Sequence, residues 1–131
     1  MTYFVTHLPD VALAAGQHAL IAATSLAIAL VIALPLGVLA ARVPAAGTPV
    51  FAVLGAIYTI PSMALLGVLV LVEGLGFWTA VTALAAYAQM ILVRNVAAGI
   101  KGVDRDAVEA ARGLGMGWWQ VFWRVERPLA M

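Results

Sequence analysis

From residue 11 to residue 41 the chain contains no Asp, Glu, Lys or Arg, and its apolar run is interrupted only by Gln17, His18, Thr24, Ser25 and Pro35. About 20 apolar residues in helical form are enough to cross the hydrocarbon of a bilayer, so this stretch predicts a membrane-spanning helix over 11–41. Two more runs of membrane length follow. Residues 50–72, with Pro61 at their middle, come after a short connection containing Arg42, Pro44, Gly47 and Pro49. Residues 78–100 come after a turn at Glu73, Gly74 and Gly76, and are broken late by Arg94 and Asn95. Composition agrees: 65% of residues are hydrophobic and 10% charged, against about 45–50% and about 25% in soluble domains. The expected fold class is an all-α membrane protein of three transmembrane helices, with 1–131 as a single, partial transmembrane domain. Three spans offer too little surface for a gated pathway in one copy, so a second subunit or further segments are expected.

Basic residues near span ends stay on the cytoplasmic side. Arg42 lies between the first two spans, and Arg94, Lys101, Arg105, Arg112, Arg124 and Arg127 lie at or after the end of the third, while the N-terminal tail and the Glu73 turn have none. This places the N-terminus and the Glu73 turn outside, and the Arg42 connection and residues 104–127 in the cytoplasm. The first ten residues lack the basic start of a signal peptide, so the first span is expected to be retained. A net charge of +1 with dispersed basic residues excludes a nucleic-acid stripe. The absence of cysteine removes disulfides, thiolate metal sites and cysteine nucleophiles. No phosphate-binding Gly-rich loop and no His/Glu pair of metalloprotease spacing occur, so no metal, no cofactor and no catalytic residue is assigned.

Most of the charge gathers in 104–127, which predicts a water-facing loop that meets a soluble partner, because charge in hydrocarbon costs roughly 2.5 kcal/mol or more per residue. Asp106 and Glu109 have capping-box spacing, predicting a helix that starts at Asp106. Ala107, Ala110, Ala111 and Leu114 give it a narrow face of small apolar side chains beside Glu109 and Arg112. Gly113, Gly115 and Gly117 should end or bend it. Trp118, Phe122 and Val125 share a face of the next element, flanked by Trp119 and Trp123, with Arg124, Glu126 and Arg127 on the polar side. That element should lie along the membrane interface and turn inward after Pro128. From these features alone, an ordinary amphipathic connector and a docking element stand about even.

Glu109-Ala110-Ala111, with Gly115 after three intervening residues and then Phe122, Val125 and Pro128, resembles the EAA loop of binding-protein-dependent ABC importer permeases. The resemblance implies the N-terminal part of the type I importer (MetI-like) permease fold. It further implies a cytoplasmic coupling helix that docks on a separate ABC ATPase subunit, a second permease subunit and an extracytoplasmic solute-binding protein. Glu109, Ala110, Ala111, Leu114, Gly115 and Pro128 would form the ATPase-coupling loop, with ATP hydrolysis in the partner. Tyr58-Thr59-Ile60-Pro61-Ser62-Met63-Ala64-Leu65-Leu66-Gly67, Arg94-Asn95, and Gly99-Ile100-Lys101-Gly102-Val103-Asp104 resemble the osmoprotectant branch, which implies import of glycine betaine, choline or carnitine across the inner membrane. The same fold serving another solute such as an amino acid, or a non-transporting scaffold, remains the alternative. One departure is Gln89-Met90, where the family has a Leu-Pro pair before Arg-Asn, so a kink in the third span loses its basis.

Pro61 removes a backbone hydrogen bond and favours a kink in the second span. Thr59 and Ser62 are expected to satisfy the freed carbonyls; the sharper alternative has Tyr58, Thr59, Pro61 and Ser62 lining or gating the pathway. Arg94, beside Asn95, is expected to snorkel to the headgroups rather than form an ion-pair gate. No aromatic cage for a quaternary ammonium is expected, since Trp78, Tyr58 and the Phe residues are dispersed, and selection falls to the binding protein. The family continues beyond Pro128 into further spans, so a C-terminally truncated permease is expected.

Overall fold

The computed structural model describes residues 7–129, and among them helices and short connections account for the whole chain, with no strand. Helix α1 (Leu8–Arg42) has 35 residues, about 52 Å at 1.5 Å per residue, well beyond the thickness of the hydrocarbon. Pro9 falls in its first turn, where a missing N–H costs nothing. Helix α4 (Phe77–Gly102) has 26 residues and runs unbroken through Gln89 and Met90, as expected where the family's proline is absent. Both are long and apolar enough to cross a membrane.

The second predicted span departs from expectation. Instead of one kinked helix over 50–72, α2 (Pro44–Thr59) and α3 (Ser62–Glu73) meet at 90°. Pro61 is the cause: Ile60 (φ −66, ψ 128) and Pro61 (φ −57, ψ 132) are both extended, so the ladder stops instead of bending. The predicted Arg42–Pro49 turn is also shorter than expected. Val43 alone separates α1 from α2, because Pro44 is pre-set for the first turn of a helix and lets α2 start at once.

Small side chains hold α1 against α4. Ser25, Ala29, Ala33, Gly37 and Ala40 are buried along one stripe of α1, and Val81, Ala85, Gln89, Val93 and Ala97 along one stripe of α4. Stripes of this kind let two backbones approach closely, and close packing rather than water exclusion drives helix pairing in lipid. Gly37 marks the tightest point: a Cβ there would sit 2.5 Å from the Val96 Cβ. Gln89 crosses the same interface, its Nε2 donating to the Ala29 carbonyl at 3.2 Å. Leu54 of α2 closes a small core with Ala33 and Val93. Helix α3 buries no residue, and Leu71 and Val72 stand 86% and 79% exposed, an apolar surface left for lipid or another helix. Gly74 (φ 78) makes the turn into α4, and Thr79 Oγ1 holds it by donating to the Gly74 carbonyl at 2.6 Å.

Candidate functional site

The charged loop folds as a short capped helix and a bent one. Helix α5 (Arg105–Gly113) begins one residue before the expected Asp106, and its cap lies two residues earlier than the sequence suggested: Asp104, not Asp106, caps it, with Oδ1 accepting from the Asp106 N–H at 2.9 Å. Asp106 instead lies in the first turn, where a carboxylate favours the positive end of the helix dipole, and Arg112 lies in the last turn for the complementary reason. The far end closes as a Schellman motif. Gly115 (φ 80) donates to the Arg112 carbonyl at 2.9 Å and Met116 to the Ala111 carbonyl at 3.2 Å. A side chain at Gly115 would find open space but a strained backbone.

The expected small-residue face divides in two. Ala111 is buried against the body and Ala107 half-buried, whereas Glu109, Ala110 and Leu114 face outward, Leu114 at 79% exposure. Ala111 therefore packs α5 against the rest of the chain. A cleft of about 490 Å³ beside α5 is lined by Lys101, Arg105, Glu109, Arg112 and Glu126.

Helix α6 (Trp118–Val121) starts where Gln120 Oε1 accepts from the Gly117 N–H at 3.2 Å. It widens into a π-helical turn (Phe122–Glu126) and closes with α7 (Arg127–Leu129). The π turn sits just before Pro128, where the helix must admit a residue with no N–H. Trp118 and Phe122 share a face as expected, their rings stacked at 6.3 Å and 12°, with Trp119 and Trp123 packed beside them. The course of the chain after Pro128 lies largely outside the described residues.

Glu126 overturns its expected place on the polar side. It is buried and forms an ion pair with Arg42 at the end of α1. The Arg42 guanidinium also stands 5.2 Å from the Trp118 ring centroid and 5.8 Å from that of Phe122, a cation held by both charge and ring faces. Its Nε is buried without a partner. The sequence held a signal for this contact: a lone arginine between two apolar runs needs a counter-ion wherever it is not in water. Arg127 packs on Trp123 at 4.8 Å. Arg94 and Asn95 are exposed on α4 and join neither the loop nor the helix break.

The break at Pro61 forms the second part of the site. Ile60 N–H donates to Ile57 at 3.2 Å, serving the carbonyl that Pro61 cannot, and Thr59 Oγ1 donates to the Ala56 carbonyl at 2.7 Å. The Ile60 carbonyl accepts from the Tyr87 hydroxyl, a partner the sequence did not indicate. Tyr87 also brings its ring to Tyr58, centroids 5.9 Å apart and planes at 69°. Tyr58 thus meets a second ring from a distant position, though not Trp78 or a Phe. A cavity of about 480 Å³ opens beside them, with Thr59, Pro61 and Ser62 on its wall.

The described residues thus form a helical unit with two helices long and apolar enough to cross a membrane and a capped, Gly-closed loop after the second of them. The profile described as binding-protein-dependent transport system inner membrane component matches residues 33–131, and the chain belongs to that family of membrane proteins. Among curated relatives, it is 32% identical over 128 residues to the carnitine transport permease protein OpuCB of Listeria monocytogenes, covering 98% of this chain and 59% of that one. It is 37% identical over 131 residues to the choline transport system permease protein OpuBD of Bacillus subtilis, covering 100% and 58%. It is 36% identical over 120 residues to the osmoprotectant import permease protein OsmW of Salmonella typhimurium, covering 88% and 56%. The chain thus spans less than two thirds of the length of these relatives. No solved structure matches it.

Proposed function

We propose that the chain is the permease subunit of an ATP-driven importer for quaternary-ammonium osmoprotectants such as glycine betaine, choline and carnitine. The observation that carries this reading is the similarity, over nearly all of the chain, to permeases named for carnitine, choline and osmoprotectants. The loop geometry supports the coupling role. Helix α5 is fixed at both ends and from behind, leaving Glu109, Ala110 and Leu114 free to enter a groove on a cytoplasmic ATPase. The Arg42–Glu126 pair then links the loop to the base of α1, so that a movement of the docked helix reaches a spanning helix. An extracytoplasmic binding protein delivers the solute, a second permease subunit completes the pathway, and the loop faces the cytoplasm.

The test is ATP-driven uptake of labelled glycine betaine into vesicles holding the cognate ATPase and binding protein, with this chain and with a form extended to the relatives' length. Uptake by either form, abolished by Gly115→Asp, is expected. Failure of both forms, with the ATPase still bound, would remove the osmoprotectant assignment. Uptake untouched by Gly115→Asp would remove the coupling role of the loop.

A further inference from the structure

We infer that the break between α2 and α3 is a quaternary-ammonium subsite, in which the ring of Tyr58, braced by Tyr87, receives the cationic head of the solute. The inference rests on the proposed substrate class and adds a place for it within the permease.

Three features converge there. The rings of Tyr58 and Tyr87 meet edge to face, 5.9 Å apart, from positions 29 residues apart in sequence, and form one corner of the 480 Å³ cavity. A quaternary ammonium has no N–H to donate, so ring faces and carbonyl dipoles are the groups that attract it. The second feature is electrostatic: α2 ends at Thr59 and α3 begins at Ser62 on the wall of the same cavity, so the two helix ends offset each other and leave the ring faces as the attracting groups. The third is positional: the Tyr87 hydroxyl donates to the Ile60 carbonyl, so α4 holds the end of α2 and the ring corner in one geometry. No Asp or Glu lines this cavity. The site therefore holds a permanent cation by ring faces alone and does not trap it, as a stopping place on a pathway requires. Lys and Arg would be drawn more weakly than a trimethylammonium, because each would give up hydration and find no carboxylate.

The absence of cysteine permits a direct test. Ser62→Cys, on the cavity wall, is reacted with a neutral maleimide in vesicles containing the whole chain. Choline should slow the labelling, while its uncharged tert-butyl analogue at the same concentration should not. Tyr58→Leu in this background should weaken the protection about two- to fivefold, the worth of one exposed ring face, and Tyr58→Phe should retain it. Protection by both compounds or by neither, or equal protection with and without the Tyr58 ring, would overturn the subsite. Labelling needs neither ATP nor partner proteins. Protection without uptake would leave the subsite standing and sink the importer, whereas uptake without protection would do the reverse.

Discussion

Two single residues set how the helices meet, and each makes a measurable prediction. Gly37 stands where a Cβ would press on Val96 at 2.5 Å and on the Val93 carbonyl at 3.2 Å. Gly37→Ala should destabilise the α1–α4 pair by about 1–3 kcal/mol through overpacking, read as a lower unfolding midpoint in detergent. Gly16, with nothing within 4 Å of its built Cβ, should accept Ala without that loss. Glu126 is the second residue. Glu126→Ala would strand the Arg42 guanidinium beside Trp118 and Phe122, with about 3–5 kcal/mol as the ceiling for breaking a buried pair. The loss should fall below that ceiling because the Arg42 side chain is 22% exposed. Restoration of the midpoint by Arg42→Met in the Glu126→Ala background would identify the stranded charge as the cause; a further drop would refute it. The sequence did not disclose the partner of either residue. Charge patterning placed Glu126 by its neighbours Arg124 and Arg127, but pairing with a residue 84 positions away is decided by tertiary packing.

Among the elements, the α2–α3 corner and the α5 turn were legible to different degrees. Hydropathy found the apolar run and proline located its weak point, yet neither sets an angle, because one extended residue on each side of a break distinguishes a kink from a corner. Pro61→Ala restores the missing N–H and should let the helix straighten. Nitroxide labels at positions 52 and 69 would then move from about 18 Å apart, for two arms at 90°, towards about 26 Å for a continuous helix. An unchanged distance would assign the corner to the Tyr87–Ile60 contact instead of the proline. The α5 turn was read more fully, since three alternating glycines after a helical pattern leave few ways to end it. Its cap was misplaced by two residues because Asp104 and Asp106 both suit that position, and only the backbone conformation of Asp104 decides between them. Gly115→Ala should cost about 1–2 kcal/mol for a left-handed backbone with a Cβ. Faster amide exchange at Met116, whose N–H closes the motif, is the corresponding measurement.

At the scale of the molecule, the spanning helices α1 and α4 were plain in the sequence, because long apolar runs admit few alternatives. The partnering of their small-residue stripes was not, since alanine is common on every face of both. The distribution of arginines supports a topology in which the Gly74 turn and the Gly113 loop lie on opposite sides of the membrane. Single cysteines at these two sites should react with an impermeant reagent from opposite faces of a sealed vesicle; reaction from the same face would reverse the assignment. One further property follows from Val43. Its N–H donates to Leu39, closing α1, and its carbonyl accepts from Ala46 and Gly47, opening α2. A single extended residue thus caps the end of one rod and the start of the next. The joint is one residue long, so a displacement entering at Glu126 through Arg42 would arrive one residue from the start of α2, the helix that ends at the Tyr58 corner.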